Sequence, residues 1–254
     1  LAESGDMTNP EFVDQQIMAC NLAVEQMKSP IGVGLTPLPG FINQGSVNDR
    51  PVVSYDGNTM AYTDRRGLEN FIFITKREGD TWSTPVDITA QASMGTDCLT
   101  SALNSDGTEL YLFKNDNFDG NLYVTRFVNG RWTAISKLNR NINTDRYESN
   151  AAITPDGKRL FFTSNREGSL GELDIWVSEK DATGNWGVAT NLGNTINTPF
   201  NEETPFISKN GSMLTFSSEG HGSIGGYDIF ISRNTGGGWG KPENIGYPLN
   251  TTDD

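Results

Sequence analysis

The 254 residues can hold one large domain or two modest ones, and a composition 35% hydrophobic and 10% aromatic with 28 glycines fits a folded, turn-rich chain. The 19 basic and 32 acidic residues leave a net charge of −13, and no Lys/Arg cluster makes a local exception. That field repels phosphate and counts against nucleic acid as a partner, while no stretch approaches the roughly 20 apolar residues of a membrane crossing.

The chain opens on Leu1 without a charged-then-apolar signal pattern, so either a signal was removed upstream or the chain is a fragment; the repeats favour a fragment. Residues 1–30 read as a helical lead-in. Within PEFVDQQIMACNLAVEQMKSP (10–30), Phe12, Ile17, Cys20, Leu22, Val24 and Met27 fall at roughly helical intervals. Pro10 suits the first turn and Pro30 ends the run. A lone helix of about 18 residues is marginal in water, so it is expected to dock, on a neighbouring rim or on a helical domain upstream. Cys20 and Cys98 offer no disulfide framework and read as two small buried hydrophobes.

From residue 31 the chain repeats. Four segments align: PVVSYDGNTMAYT from Pro51, SALNSDGTELYLF from Ser101, AAITPDGKRLFFT from Ala151 and PFISKNGSMLTFS from Pro205. Each sets Asp-Gly or Asn-Gly between two strand-like runs and reads as strand, turn, strand. A third strand follows in every copy (NFIFITKR, NLYVTRF, LDIWVSEK, YDIFISRN), and a fourth closes the unit around Trp82, Trp132, Trp186 and Trp239, spaced by 50, 54 and 53 residues. The turn glycines Gly57, Gly107, Gly157 and Gly211 are spaced by 50, 50 and 54. Four strands at that period predict an all-β β-propeller of four-stranded antiparallel blades preceded by one α-helix. The propeller spans 31–254, with blades at about 45–88, 95–138, 145–192 and 199–245. A blade has two apolar faces and needs a neighbour on each, so the tryptophans, Phe73, Tyr123, Trp176 and Phe230 are expected between sheets.

The flanks carry partial copies. IGVGLTPLPGFIN (31–43) resembles GVATNLGNTIN (187–197), the outer strand and exit of a blade, and GYPLNTTDD (246–254) resembles GNTINTPFNEE (193–203), the start of the next. The intact ring is therefore expected to have five or six blades.

The blade pattern, clearest in TPDGKRLFFTSNREGSLGELDIWVSE (154–179), resembles the repeat of TolB-type periplasmic propellers. Its fuller form, running from DG through SxREG, GxDI and GxWG to NLGxxIN, resembles a narrower group of envelope lipoproteins. Those have tetratricopeptide-like helices, then a propeller, then often an OmpA-like peptidoglycan-binding domain, and some serve type IX secretion and gliding. The second copy departs most, since FKNDNFDGNLYV (113–124) lacks the Arg-Glu-Gly stretch and the Asp-Ile pair. The resemblance implies a periplasmic, outer-membrane-associated protein whose partners are other envelope proteins. Any tie to peptidoglycan would be indirect, through domains outside these residues.

Little in the chain suggests chemistry. The one histidine, His221, lies in a glycine-rich loop where other copies carry NREGSLGE or DRRGLE, and no G-x-S-x-G elbow is present. A zinc site and a phosphate-cradling loop find no ligands, and NDNFDGN (115–121) opens like a calcium loop but has Arg126 where the bidentate Glu belongs. No metal or cofactor is expected. Nine residues before each turn glycine stand Asn48, Cys98, Glu148 and Glu202, with Glu203 beside the last. These are the candidate binding residues at the channel mouth. The sequence points to a non-catalytic protein-binding scaffold; the alternative is a propeller that binds or hydrolyses glycans through those carboxylates.

Overall fold

Residues 10–43, 47–116 and 119–252 are described by a computed structural model. A helix, Pro10–Met27, precedes four antiparallel sheets. The first sheet has an innermost strand Val47–Val53, then Thr59–Arg66 and Glu69–Glu78. The next three begin with Cys98–Leu103, Glu148–Ile153 and Glu202–Ile207 and repeat the same meander outward. In the first two blades the outer strand is split, Thr81–Trp82 and Val86–Asp87 both pairing with Glu69–Glu78, and Arg131–Trp132 and Ser136–Lys137 both pairing with Asp119–Val128. The later blades keep one short outer strand, Thr190–Asn191 or Glu243–Asn244, and reduce the tryptophan piece to a single bridge, Lys180 with Trp186 and Asn234 with Trp239. All four tryptophans thus occupy one place in successive sheets.

The inner hairpins turn where Asp-Gly and Asn-Gly predict. Gly57, Gly107, Gly157 and Gly211 sit at φ 77, 69, 71 and 71°, which a side chain resists. The residue three earlier anchors the loop: Ser54, Thr154 and Ser208 accept through Oγ the backbone N–H of Thr59, Arg159 and Met213, each at 3.0 Å. Hydrogen bonds from Ser54, Thr108 and Thr154 hold the carboxyls of Asp56, Asp106 and Asp156 below their ordinary pKa.

Alternation along the strands gives every blade two apolar faces, and three cores result. Blades 1 and 2 close on Ala61, Ile72, Ile74, Leu110, Leu112 and Trp132. Blades 2 and 3 close on Tyr111, Leu122, Val124, Phe162, Trp176 and Trp186. Blades 3 and 4 close on Phe161, Ile175, Leu214, Phe216 and Phe230, with Trp239 packed against them. Trp132, Trp186 and Trp239 each cover the blade before their own, whereas Trp82 and Phe73, in the first blade, pack with Ile42, Met60 and Tyr62 rather than between two sheets.

The exit of each blade is tied back to that blade by one side chain. Asn143 Oδ1 accepts the Leu122 N–H at 2.7 Å, and its Nδ2 donates to the Leu122 and Leu138 carbonyls at 2.8 and 3.0 Å. Asn197 holds the N–H and C=O of Ile175 at 2.8 and 3.0 Å, and Asn250 those of Ile229 at 2.8 and 2.9 Å. In blade 1 the Thr89 hydroxyl replaces the clamp, accepting the Ile72 N–H at 2.8 Å.

Blades 4 and 1 are joined differently. Among the described residues no apolar cluster spans them. Residues 31–43 form no strand. Ile31 N–H donates to the Tyr247 carbonyl at 2.8 Å, and the Pro39–Ile42 turn sets Ile42 on Met60 and Tyr62 of blade 1. Ile42 there does what Ile142 and Ile196 do for blades 3 and 4, as the likeness to 187–197 predicts. Among the described residues no third strand lies beside this segment for it to pair with. At the other end, 246–252 repeats the exit turn through Asn250; residues 253 and 254 lie outside the described residues. Cys98 is buried, whereas Cys20 is exposed on the helix, so only one of the two cysteines is a core hydrophobe.

Replacing Asn197 by Ala strands the buried N–H of Ile175, whose carbonyl keeps only the Leu192 N–H, and is expected to cost about 1–3 kcal/mol, lowering Tm by roughly 3–10 °C. Asn43→Ala, at the matching but exposed position, is expected to leave Tm within about 1–2 °C of wild type. Calorimetric scans of both variants check the contrast.

Candidate functional site

The innermost strands surround a channel, and all four carry a bulge at the same height: Asp49/Val52, Thr100/Ala102, Ser149/Ala152 and Glu203/Phe206. In three of them a non-glycine residue takes the left-handed conformation: Arg50 at φ 49°, Asn150 at 45° and Thr204 at 49°. That geometry is uncommon for side-chain-bearing residues and held only where surroundings fix it. Here the fixing groups are visible. Thr100 Oγ1 donates to the Arg50 carbonyl at 2.5 Å, and Ser101 Oγ accepts the Ala151 N–H at 2.5 Å, so neighbouring blades grip each other's bulges.

The bulges bring a polar chain to one mouth of the channel. Arg50 Nη1 donates to Asn150 Oδ1 at 2.9 Å, Asn150 Nδ2 donates to Glu203 Oε2 at 3.2 Å, and the Tyr227 hydroxyl donates to Glu203 Oε1 at 3.3 Å. Burial raises the Glu203 pKa, while the Tyr227 bond and the Arg50 charge oppose the shift. Burial and the Glu203 charge raise the Tyr227 phenol. Behind the mouth lies a recess of about 340 Å³, continuous through Pro51, Val52, Ser101, Ala151, Pro205 and Phe206 with a cavity of about 400 Å³. Tyr55 spans the far end, about 15 Å along the strand from Arg50. Its hydroxyl donates to the Ile207 carbonyl at 2.7 Å and approaches that of Ile153 at 2.9 Å, and its ring lies 6.1 Å from Phe206. Burial pushes the Tyr55 phenol up to about 12, so it stays a neutral donor.

Of the five residues expected at the rim, the structure sets only Glu203 in this chain. Glu148 and Glu202 are fully buried staples. Glu148 accepts the Thr144 N–H (2.8 Å) and hydroxyl (2.7 Å) and the Ser164 hydroxyl (2.9 Å), and Glu202 repeats the pattern with Thr198 and Ser218. They join the exit loop of one blade to the inner strands of the next. Cys98 is buried, donates to the Met94 carbonyl, and has its thiol pushed up to about 12 by burial, so it is no nucleophile. Asn48 donates to the Ile42 carbonyl at 3.1 Å, holding the lead-in segment. Arg50, Asn150, Thr204, Tyr55 and Tyr227 were not legible as a site. The usable signal is the polar residue seven positions before each turn glycine: Arg50, Thr100, Asn150 and Thr204.

His221 Nε2 lies 2.8 Å from the Ile196 carbonyl, with its ring against Phe216 and Phe230. In blade 3 Arg166 does the same work, reaching the Asn141 and Ile142 carbonyls over Phe162 and Trp176. Both side chains cap the preceding exit turn. In the calcium-like loop, Asn115 pairs with Gly120 and Asp116 with Asp119 as the end of a hairpin; Asn117 lies outside the described residues. Among the described residues no group of three acidic, His or Cys side chains is placed to hold a metal ion.

No protein-family model and no curated protein sequence matches this chain. Solved structures do. A putative TolB from Agrobacterium tumefaciens superposes with a TM-score of 0.52 at 18% identity, over 77% of this chain and 61% of that one. TolB from Acinetobacter baumannii gives 0.51 at 18%, over 79% and 45%. The chain therefore has a TolB-like β-propeller fold and spans about half to three-fifths of those proteins.

Because burial raises the Glu203 pKa, the folded state holds this proton more tightly than the unfolded chain. The stabilisation is present below the ordinary carboxyl range and lost as pH rises through the folded value. Glu203→Gln is expected to match wild type near about pH 4 and to gain on the order of 1–3 °C in Tm by about pH 8, with allowance for solvent screening. Melting curves across that range that stay parallel would contradict it.

Proposed function

We propose that this chain is a non-catalytic, protein-binding propeller segment of a bacterial cell-envelope protein, facing the periplasm and associated with the outer membrane. The OmpA-type lipoprotein context, with a place in a secretion or motility assembly, rests on the resemblance of the blade motif. The TolB-like fold supports the broader reading. A scaffold reading also agrees with the carboxylates. Glu148 and Glu202, the acids a glycan-cleaving site would use, have their oxygens occupied by loop hydroxyls and N–H groups.

One observation carries the proposal. Val13, Ile17, Cys20, Val24 and Met27 recur along the helix at intervals of 4, 3, 4 and 3 residues, and all five are exposed. Such spacing makes a seam that a second helix fills. The helix meets the propeller through its other side, Leu22 lying 3.6 Å from where a Cβ on Gly222 would stand, and among its described side chains only Ala23 is buried. Val33 and Leu35, which follow the helix in the chain, are exposed as well, the latter 89%. Open apolar area of this kind marks a protein contact. Among the described residues no helix is long and apolar enough to cross a membrane.

Ile17→Glu with Val24→Glu puts two charges in the seam without touching the core, so Tm is expected to stay within about 1–2 °C of wild type. Pull-downs from envelope extracts are expected to recover partner proteins with wild type and about tenfold less with the variant. Identical recoveries, or none by either protein, would overturn the proposal.

A further inference from the structure

The channel mouth sits apart from the helix seam and has its own chemistry. Arg50 and Glu203 carry opposite charges, yet no ion pair joins them among the described residues; the amide of Asn150 stands between, accepting from one and donating to the other. Asn150 is only 8% exposed and held by its bulge, so the two charges are kept apart. Its amide oxygen and nitrogen engage the guanidinium and the carboxylate as the carboxylate and ammonium of an α-amino acid would. Arg50 is exposed, its Nε and Nη2 make no hydrogen bond among the described residues, and the Tyr227 hydroxyl adds a polar group beside Glu203. Inward the wall turns apolar, with Val52, Ala102, Ala152 and Phe206, and Tyr55 spans the end. A cavity of about 400 Å³ is the size of small-molecule sites.

We propose that this channel binds a small zwitterion with an apolar side chain, a free α-amino acid or a dipeptide, its carboxylate on Arg50, its ammonium on Glu203 and its side chain in the cavity before Tyr55. The exposed half of the guanidinium favours a planar carboxylate, which it can grip through two N–H groups. The ammonium restores to Glu203 the stabilisation its carboxylate lost on leaving water. An uncharged ligand of the same shape gains neither contact, and a ligand with one charge gains half. The reading does not rest on the protein-binding role, which concerns a different surface.

Calorimetric titration tests it with four probes: L-phenylalanine, phenylalanyl-alanine, N-acetylphenylalanine and N-acetylphenylalaninamide. At least one of the first two is expected to bind wild type, and the capped probes about tenfold or more weaker. Arg50→Gln and Glu203→Gln are each expected to weaken the zwitterion about tenfold while retaining a cooperative melt. No binding by either zwitterion overturns the proposal. So does equal affinity for N-acetylphenylalanine, since the mouth would then read a carboxylate alone, as at a chain terminus. Because the capped probes are compared on wild type, the outcome does not hang on the variants folding.

Discussion

Asn143, Asn197 and Asn250 each hold both backbone groups of one residue in the third strand of their own blade, and the exit turns of Asn143 and Asn197 lie against the next. That single interaction couples the two levels of the architecture. Within a blade it stands in for an outer strand only two residues long, too short to hold itself by ladder bonds. Between blades it fixes where Ile142 and Ile196 enter the adjoining core. The buried glutamates complete the joint from the other side. Glu148 and Glu202 take the hydroxyl and N–H of the threonine that follows each asparagine and pass the tie to the second strand of the new blade. Buried charges of this kind are tolerated only when their oxygens are fully engaged, as they are here.

The arc's ends show what the joint does by where it is incomplete. Blade 1 receives Ile42 on Met60 and Tyr62, an exit turn without the sheet that would normally precede it. Asn48 and Asp64 stand where blades 3 and 4 place glutamate and serine, and among the described residues Asn48 reaches only the Ile42 carbonyl. Arg66, at the position of Arg166, turns to Asp64 instead of to the exit carbonyls. Blade 4 leaves Phe206 about half exposed and Ile229 and Ile231 partly covered on its outward face.

The fold was legible because its determinants are local and repeated. Asp-Gly turns, aromatic third strands and the tryptophans keep one register, and each works through chemistry within a few residues of itself. The candidate site was less legible for a physical reason. Counting back from the turn glycine locates a residue along the inner strand but not the direction of its side chain, and a bulge intervenes in every copy. Glu148 and Glu202, before the bulge, turn into the joint; Arg50 and Asn150, within it, turn to the mouth. Arginine, asparagine and two threonines share that position, so no single residue type announces it. Glu203 was found only as the neighbour of Glu202. The helix reads from sequence as one that docks; in the structure its apolar stripe faces outward, and the propeller takes only the smaller side.

Tyr55 belongs to the first blade, yet its hydroxyl is held by the backbone of the third and fourth. One phenol therefore tethers opposite sides of the barrel of strands across its axis, much as a spoke fixes a rim. Any motion that parts the first blade from the fourth must stretch or break that bond. The floor of the channel and the spacing of those two blades are consequently one mechanical coordinate, and whatever presses on either is felt at the other.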